Sequence, residues 1–129
     1  MSDMTISQAI ATAAAEAARD KQAADVAVLD VAALLTITDY FVICSVASGP
    51  QLKAVTEAVE ERIRTELDRR PVRREGDAEG GWLLLDYIDV VVHVFAQEER
   101  EYYDLERLWR DAPRLGWIGS EQAAAGSLD

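Results

Sequence analysis

This chain is short of the residues from which chemical sites are most often built. Among its 129 residues there is one cysteine, Cys44, and one histidine, His93. A lone cysteine excludes an intrachain disulfide and, set in an apolar run, fits a reducing compartment. Without a second histidine a zinc site would rest mostly on carboxylates, against the preference of that ion for nitrogen and sulfur, so neither metal nor cofactor is expected. Long apolar runs are also missing. None approaches the roughly 20 residues that span a bilayer, so no membrane role beyond a peripheral one is expected. The opening MSDMTISQAIATAAAEAARD has acid near its start and breaks its alanines with Glu16 and Arg19, unlike a secretory leader, which gives the expectation of a soluble, cytoplasmic protein. The last shortage is positive charge. Thirteen Lys and Arg face 24 Asp and Glu, for a formal net charge of -11. A field of that sign repels phosphate backbones, which argues against DNA or other nucleic acid as the primary partner and favours a basic protein surface.

What remains is patterned. The length suits one domain that hides roughly two-thirds of its unfolded surface. Thr5 and Gln8 fit a capping box, and Ile6, Ala9, Ile10, Ala13, Ala14, Ala17 and Ala18 then share one face, which predicts a helix over about 6–19 with an alanine seam. DVAVLDV at 25–31 and DYFVICSV at 39–46 read as strands, with the link ALLTITD at 33–39 open between turn and short helix. Ser48, Gly49 and Pro50 signal a second helix, and Leu52, Val55, Val59, Ile63 and Leu67 mark its buried face until Pro71 closes it. EGDAEGG reads as an exposed turn, and Trp82–Tyr87 with Val90–Phe95 as a hairpin too tight for a parallel crossover. Glu98–Trp109 resumes helical spacing, and residues 114–129 read as a mobile tail after a single domain at 1–113.

The hairpin GWLLLDYIDVVVHVF places Asp86, Asp89 and His93 in apolar surroundings. Two carboxylates three apart on a strand face opposite ways, and a hairpin turn in water offers no pocket to tune them, so turn and surface roles outweigh acid–base catalysis. His93, without company, reads as a structural, hydrogen-bonded residue, and Cys44 as a small core residue rather than a nucleophile. Ser45–Val55 passes from strand through a small-residue loop to a helix start, but lacks the spacing of a phosphate loop, and Ser48 is better explained as a cap. Arg69, Arg70, Arg73 and Arg74 form the one basic cluster, either a solvated helix end or a local contact with RNA. Trp82 leads the strand face that carries Leu84 and Asp86, and aromatic side chains beside acids suit a basic partner.

Four stretches in register carry a resemblance: TDYFVICS at 38–45, the helix start QLKAV, the hairpin GWLLLDYIDVVVHVF, and EEREYYDLERLW followed by DAP. Together they resemble the ribosomal silencing factor S, or Iojap, family over about Ala9 to Pro113. The resemblance implies an α+β fold, a mixed sheet of about five strands flanked by helices. That fold is related to nucleotidyltransferases, but Ser48-Gly49 stands in reverse order and D-x-x-D at Asp86 and Asp89 replaces D-x-D, so their active site is not implied. It implies a homodimer when free and binding to ribosomal protein L-fourteen of the large subunit. It also implies a steric block of subunit joining that represses translation under nutrient limitation, and a role in large-subunit assembly. On that basis the contact surface is expected to centre on Trp82 as apolar anchor with Leu84 beside it. Asp86 and Asp89 are expected as partners of basic side chains, Tyr87 at the rim, and Glu98, Glu99, Tyr102 and Tyr103 as an adjoining patch. Many members carry glycine where this chain has Ile88, so the turn and the placement of Asp89 are expected to differ. A nucleotidyltransferase-like enzyme and a generic dimeric adaptor for a basic protein stand as alternatives.

Overall fold

The computed structural model describes residues 5–32 and 38–96. Helix α1 spans Ile6–Asp20, and its capping box is formed in full: the Thr5 side chain accepts from the Gln8 N–H, and the Gln8 side chain accepts from the Thr5 N–H. Strand β1 (Ala24–Asp30) follows, then β2 (Tyr40–Val46) and helix α2 (Gly49–Leu67). Ser48 caps α2 from the extended region, Pro50 lies in its first turn, and Asp68 ends it in the left-handed conformation at φ 57°. The hairpin expected from the sequence is β4 (Trp82–Asp86) and β5 (Val90–Ala96), paired antiparallel. Residues 33–37 of the undecided link, the expected helix at Glu98–Trp109 and the expected tail lie outside the described residues.

One strand is additional. Arg73–Asp77 forms β3, antiparallel to β4, and its last three residues belong to EGDAEGG, expected as an exposed turn. Its signal is absent from the side chains because all five residues are exposed. An edge strand backed by nothing needs no apolar alternation, and its charges discourage further pairing. Gly76 sits there at φ +87°, where a Cβ would collide with the Trp82 carbonyl, so this edge can approach β4 only with glycine.

The sheet order is β1-β2-β5-β4-β3, with β2 and β5 parallel and every other pair antiparallel, which makes the sheet mixed and the fold α+β. Both described helices pack on one face. Val28, Val42, Cys44, Leu85, Val92 and Val94 from the strands meet Ile10, Leu52, Val55, Val59 and Ile63 from the helices. Ala11, Ala14, Ala15 and Ala18 of α1 are completely buried, so the small seam trades area per residue for close approach of backbone to backbone. The opposite face holds a second cluster of Ala27, Leu29, Val31, Ile43 and Phe95, with Phe41 and Trp82 packed on it. Among the described residues no helix is long and apolar enough to cross a membrane.

Candidate functional site

Strand β4 alternates strictly between the two faces. Leu83, Leu85 and Tyr87 turn toward the helices and are buried, whereas Trp82, Leu84 and Asp86 are half-buried on the other side. The sequence pattern that puts these last three on one face is what the register gives. Trp82 pairs with Phe95 and Leu84 with His93 across β4–β5, and parallel pairing sets Ile43 beside His93. An aromatic layer results: Trp82 and Phe95 lie 6.1 Å apart, His93 and Phe95 5.8 Å apart within 3° of parallel, and Phe41 packs 4.7 Å from His93. Phe41 and Phe95 were not singled out as site residues from the sequence; the parallel partnership of β2 and β5, which brings them together, has no local signature.

Tyr87 corrects the expectation of a rim residue. It is 7% exposed and belongs to the helix-side core, because it follows Leu83 and Leu85 in the strand alternation. Its hydroxyl finds no hydrogen-bond partner among the described residues. Burial, reinforced by the Glu60 carboxylate, pushes the phenol well above its ordinary value.

Both hairpin carboxylates are engaged within the chain, on separate partners. Asp86 accepts from the Ile88 N–H at 2.7 Å through Oδ1 and from Arg73 at 3.1 Å through Oδ2. It is first a turn-builder. Asp89 is exposed, and its Oδ2 lies 3.4 Å from the Ser7 hydroxyl at the start of α1, which also lies 3.4 Å from Asp39. Ser7 and Asp39 were missed in the sequence, since only the tertiary fold brings α1 to the end of the hairpin. Asp86 and Asp89 therefore hold different ends of the turn. Among the described residues no group of three or more histidines, cysteines, aspartates or glutamates is placed to hold a metal ion.

The turn keeps a glycine-like backbone despite its residue. Ile88 stands at φ +76°, 58% exposed, with the Asp89 N–H donating to the Tyr87 carbonyl at 3.0 Å across it. That combination matches the rarer, strained γ-turn. A β-branched residue therefore holds positive φ here, with the Asp89 carbonyl clamped at the start of β2 by the N–H groups of Asp39 and Tyr40, at 2.8 and 3.1 Å.

His93 is buried and donates nothing to another described residue; its Nδ1 accepts from the Trp82 indole N–H at 3.4 Å. Burial alone pushes its imidazole down to about 4, so it is neutral at physiological pH. Cys44 is a fully buried core residue. The arginine cluster divides. Arg73 pairs with Glu75 and Asp86, and Arg74 with Glu60, whereas Arg69 and Arg70 are exposed and joined by no ion pair to another described residue. Glu98, Glu99, Tyr102 and Tyr103 lie outside the described residues.

Fold and strip define a class: an acidic α+β domain with a mixed sheet, both described helices on one face and an aromatic strip on the other. Comparison narrows the class. A family described as "Ribosomal silencing factor during starvation" matches residues 4–127. The ribosomal silencing factor RsfS of Bacillus subtilis is 42% identical over 100 residues, covering 78% of this chain and 84% of that protein. The mouse protein "Mitochondrial assembly of ribosomal large subunit protein 1" is 34% identical over 93 residues, covering 70% of this chain and 41% of that one. A crystal structure from Chromobacterium violaceum superposes with a TM-score of 0.74 at 32% identity, covering 86% of this chain and 91% of that one. The chain belongs to the ribosomal silencing factor family.

Proposed function

We propose that this chain docks on a basic ribosomal protein of the large subunit, L-fourteen, through the hairpin, and that it represses translation by occupying the space the small subunit needs. No bond is made or broken in this mechanism. The observation that carries the reading is the half-buried Trp82–Leu84 strip on the sheet face away from the described helices, in a family of ribosomal silencing factors. An aromatic side chain with a fixed ring and an exposed flank is what a central anchor requires. Asp89, exposed at the turn beyond the far end of β4 from Trp82, adds negative charge to the hairpin, and the balance of -11 across the chain favours encounter with a cationic protein. Glu98, Glu99, Tyr102 and Tyr103 belong to the proposed surface through the family resemblance alone. Arg69 and Arg70 would meet ribosomal RNA at the margin, the acidic remainder keeping such contact local.

Sedimentation tests the reading directly. The purified chain should co-migrate with large subunits and, in excess, keep them from joining small ones. Trp82→Ala should lower affinity by about 2 kcal/mol or more, as loss of a central anchor does. Normal joining in the presence of excess protein refutes the mechanism. A homodimer in the free state is part of the proposal, and a sedimentation velocity run at micromolar concentration checks it.

A second reading, a part in large-subunit assembly, is favoured by the name of the mouse relative. It is compatible with the first, since a factor seated on the joining face can act before that face is first used. Accumulation of large-subunit precursors on depletion of the protein would support it.

A further inference from the structure

We propose that His93 is a positioning residue, whose Nδ1 fixes the indole of Trp82 in the orientation that the docking face uses. The proposal rests on the reading of Trp82 as anchor and adds the residue that sets its geometry. The antiparallel register places Trp82 diagonally across from His93, with ring centroids 6.4 Å apart and 22° between the planes. The indole N–H is a donor only, so a bond from Trp82 Nε1 to His93 Nδ1 at 3.4 Å requires a lone pair on Nδ1 and puts the imidazole proton on Nε2.

That tautomer has a cost. The Nε2 atom is buried and has no hydrogen-bond partner among the described residues, and an unpaired buried donor destabilises a fold. Phe41, Phe95 and Trp82 already surround the ring. A phenylalanine at position 93 would suit these neighbours and carry no orphan group. What histidine adds over phenylalanine is the acceptor at Nδ1, and the group it accepts from is Trp82. Burial keeps the ring neutral, so the acceptor persists throughout the physiological range; no charge contributes to that displacement.

The test uses the full chain, isotopically labelled with nitrogen-15. The Trp82 indole signal is identified by its disappearance in Trp82→Phe. In the parent, His93 should show the Nε2-protonated tautomer, and the Trp82 N–H should exchange slowly. His93→Phe should fold as the parent does, speed exchange of that N–H at least about tenfold and weaken large-subunit binding about fivefold, the scale of one ordinary hydrogen bond. His93→Asn, whose Oδ1 takes the place of Nδ1, should retain slow exchange. In a double-mutant cycle, His93→Phe should add nothing to Trp82→Phe.

An Nδ1-protonated tautomer overturns the proposal, as does unchanged exchange in His93→Phe. So does undiminished binding of His93→Phe where Trp82→Ala weakens it. If Trp82→Ala itself binds like the parent while tautomer and exchange are as expected, the anchor reading is what fails, and the functional half of the proposal goes with it.

Discussion

Replacing Tyr87 with phenylalanine removes one oxygen from the core and nothing else. The side chain is 7% exposed, packs on the helix side of the sheet and leaves its hydroxyl without a partner among the described residues. Desolvating an unpaired polar group costs about 1–3 kcal/mol, and the ring packing is unchanged in the variant, so Tyr87→Phe should stabilise the fold by about 1–2 kcal/mol. For a domain of this size that is a rise in Tm of several degrees. Urea unfolding followed by far-UV circular dichroism reads it out. A second signature has a definite sign. The folded phenol titrates well above its unfolded value of 10.0, so the stability tied to its neutral form is present below about pH 10 and is lost as pH rises beyond that. The parent should lose stability in that alkaline window, and the variant should lose less. Binding to large subunits should not change. A variant less stable than the parent by about 1 kcal/mol would refute the reasoning, because the hydroxyl would then have a partner. Weakened docking with stability intact would return Tyr87 to the rim.

Asp86→Asn keeps an acceptor for the Ile88 N–H and loses the pair with Arg73, whose side chain is 59% exposed, so unfolding experiments should show a loss below about 1 kcal/mol. Asp86→Ala loses both and should cost about 1–2 kcal/mol; equal losses would mean that the turn does not depend on the carboxylate. Ile88→Asn should match or exceed the parent in stability, by up to about 1 kcal/mol, since a left-handed backbone costs a β-branched residue about 1–2 kcal/mol and asparagine tolerates it. A clear loss of stability in thermal unfolding would show that the contacts of the isoleucine methyls matter more. His93, displaced from 6.5 down to about 4, stays neutral in the fold while the unfolded chain takes up a proton. Stability should therefore fall as pH drops from about 6.5 toward 4, by up to about 1.4 kcal/mol per pH unit from this group. His93→Phe should flatten that limb, and an unchanged acid slope would count against it.

Helices and core strands were legible because burial writes a period into the sequence. The α2 face Leu52, Val55, Thr56, Val59 and Ile63 is the buried set of its helix, and the polar spacing between them is its solvent side. Thr5–Gln8 and Ser48–Pro50 marked helix starts because a cap satisfies donors that nothing else in the chain reaches. β3 was illegible for the same reason in reverse: all its side chains are exposed, so its pairing is carried by backbone groups that every residue shares. The parallel partnership of β2 and β5 is illegible in another sense. Val46 ends one strand and Val90 begins the other, with α2, β3 and β4 between them, and only the closed sheet relates the two.

The site divides along the same line. That Trp82, Leu84 and Asp86 share a face follows from a period of two, and so does the burial of Tyr87, which continues the alternation from Leu83 and Leu85. Placing Tyr87 at the rim set that alternation aside, although the strand expected at Trp82–Tyr87 already contained it. What decides the matter is the turn that follows. Asp86 Oδ1 caps the Ile88 N–H, the Tyr87 N–H donates to the Val90 carbonyl, and the Asp89 carbonyl takes the N–H groups of Asp39 and Tyr40. With both ends held, Ile88 occupies a conformation it would not choose, and Tyr87 is carried inward although no described residue pairs with its hydroxyl. Two local preferences are overridden by one set of backbone hydrogen bonds. The proposed docking strip lies up β4 from that turn, so loosening Asp39 from Asp89 should disturb Trp82 and Leu84 less than the turn itself, a gradient that hydrogen exchange along β4 can read.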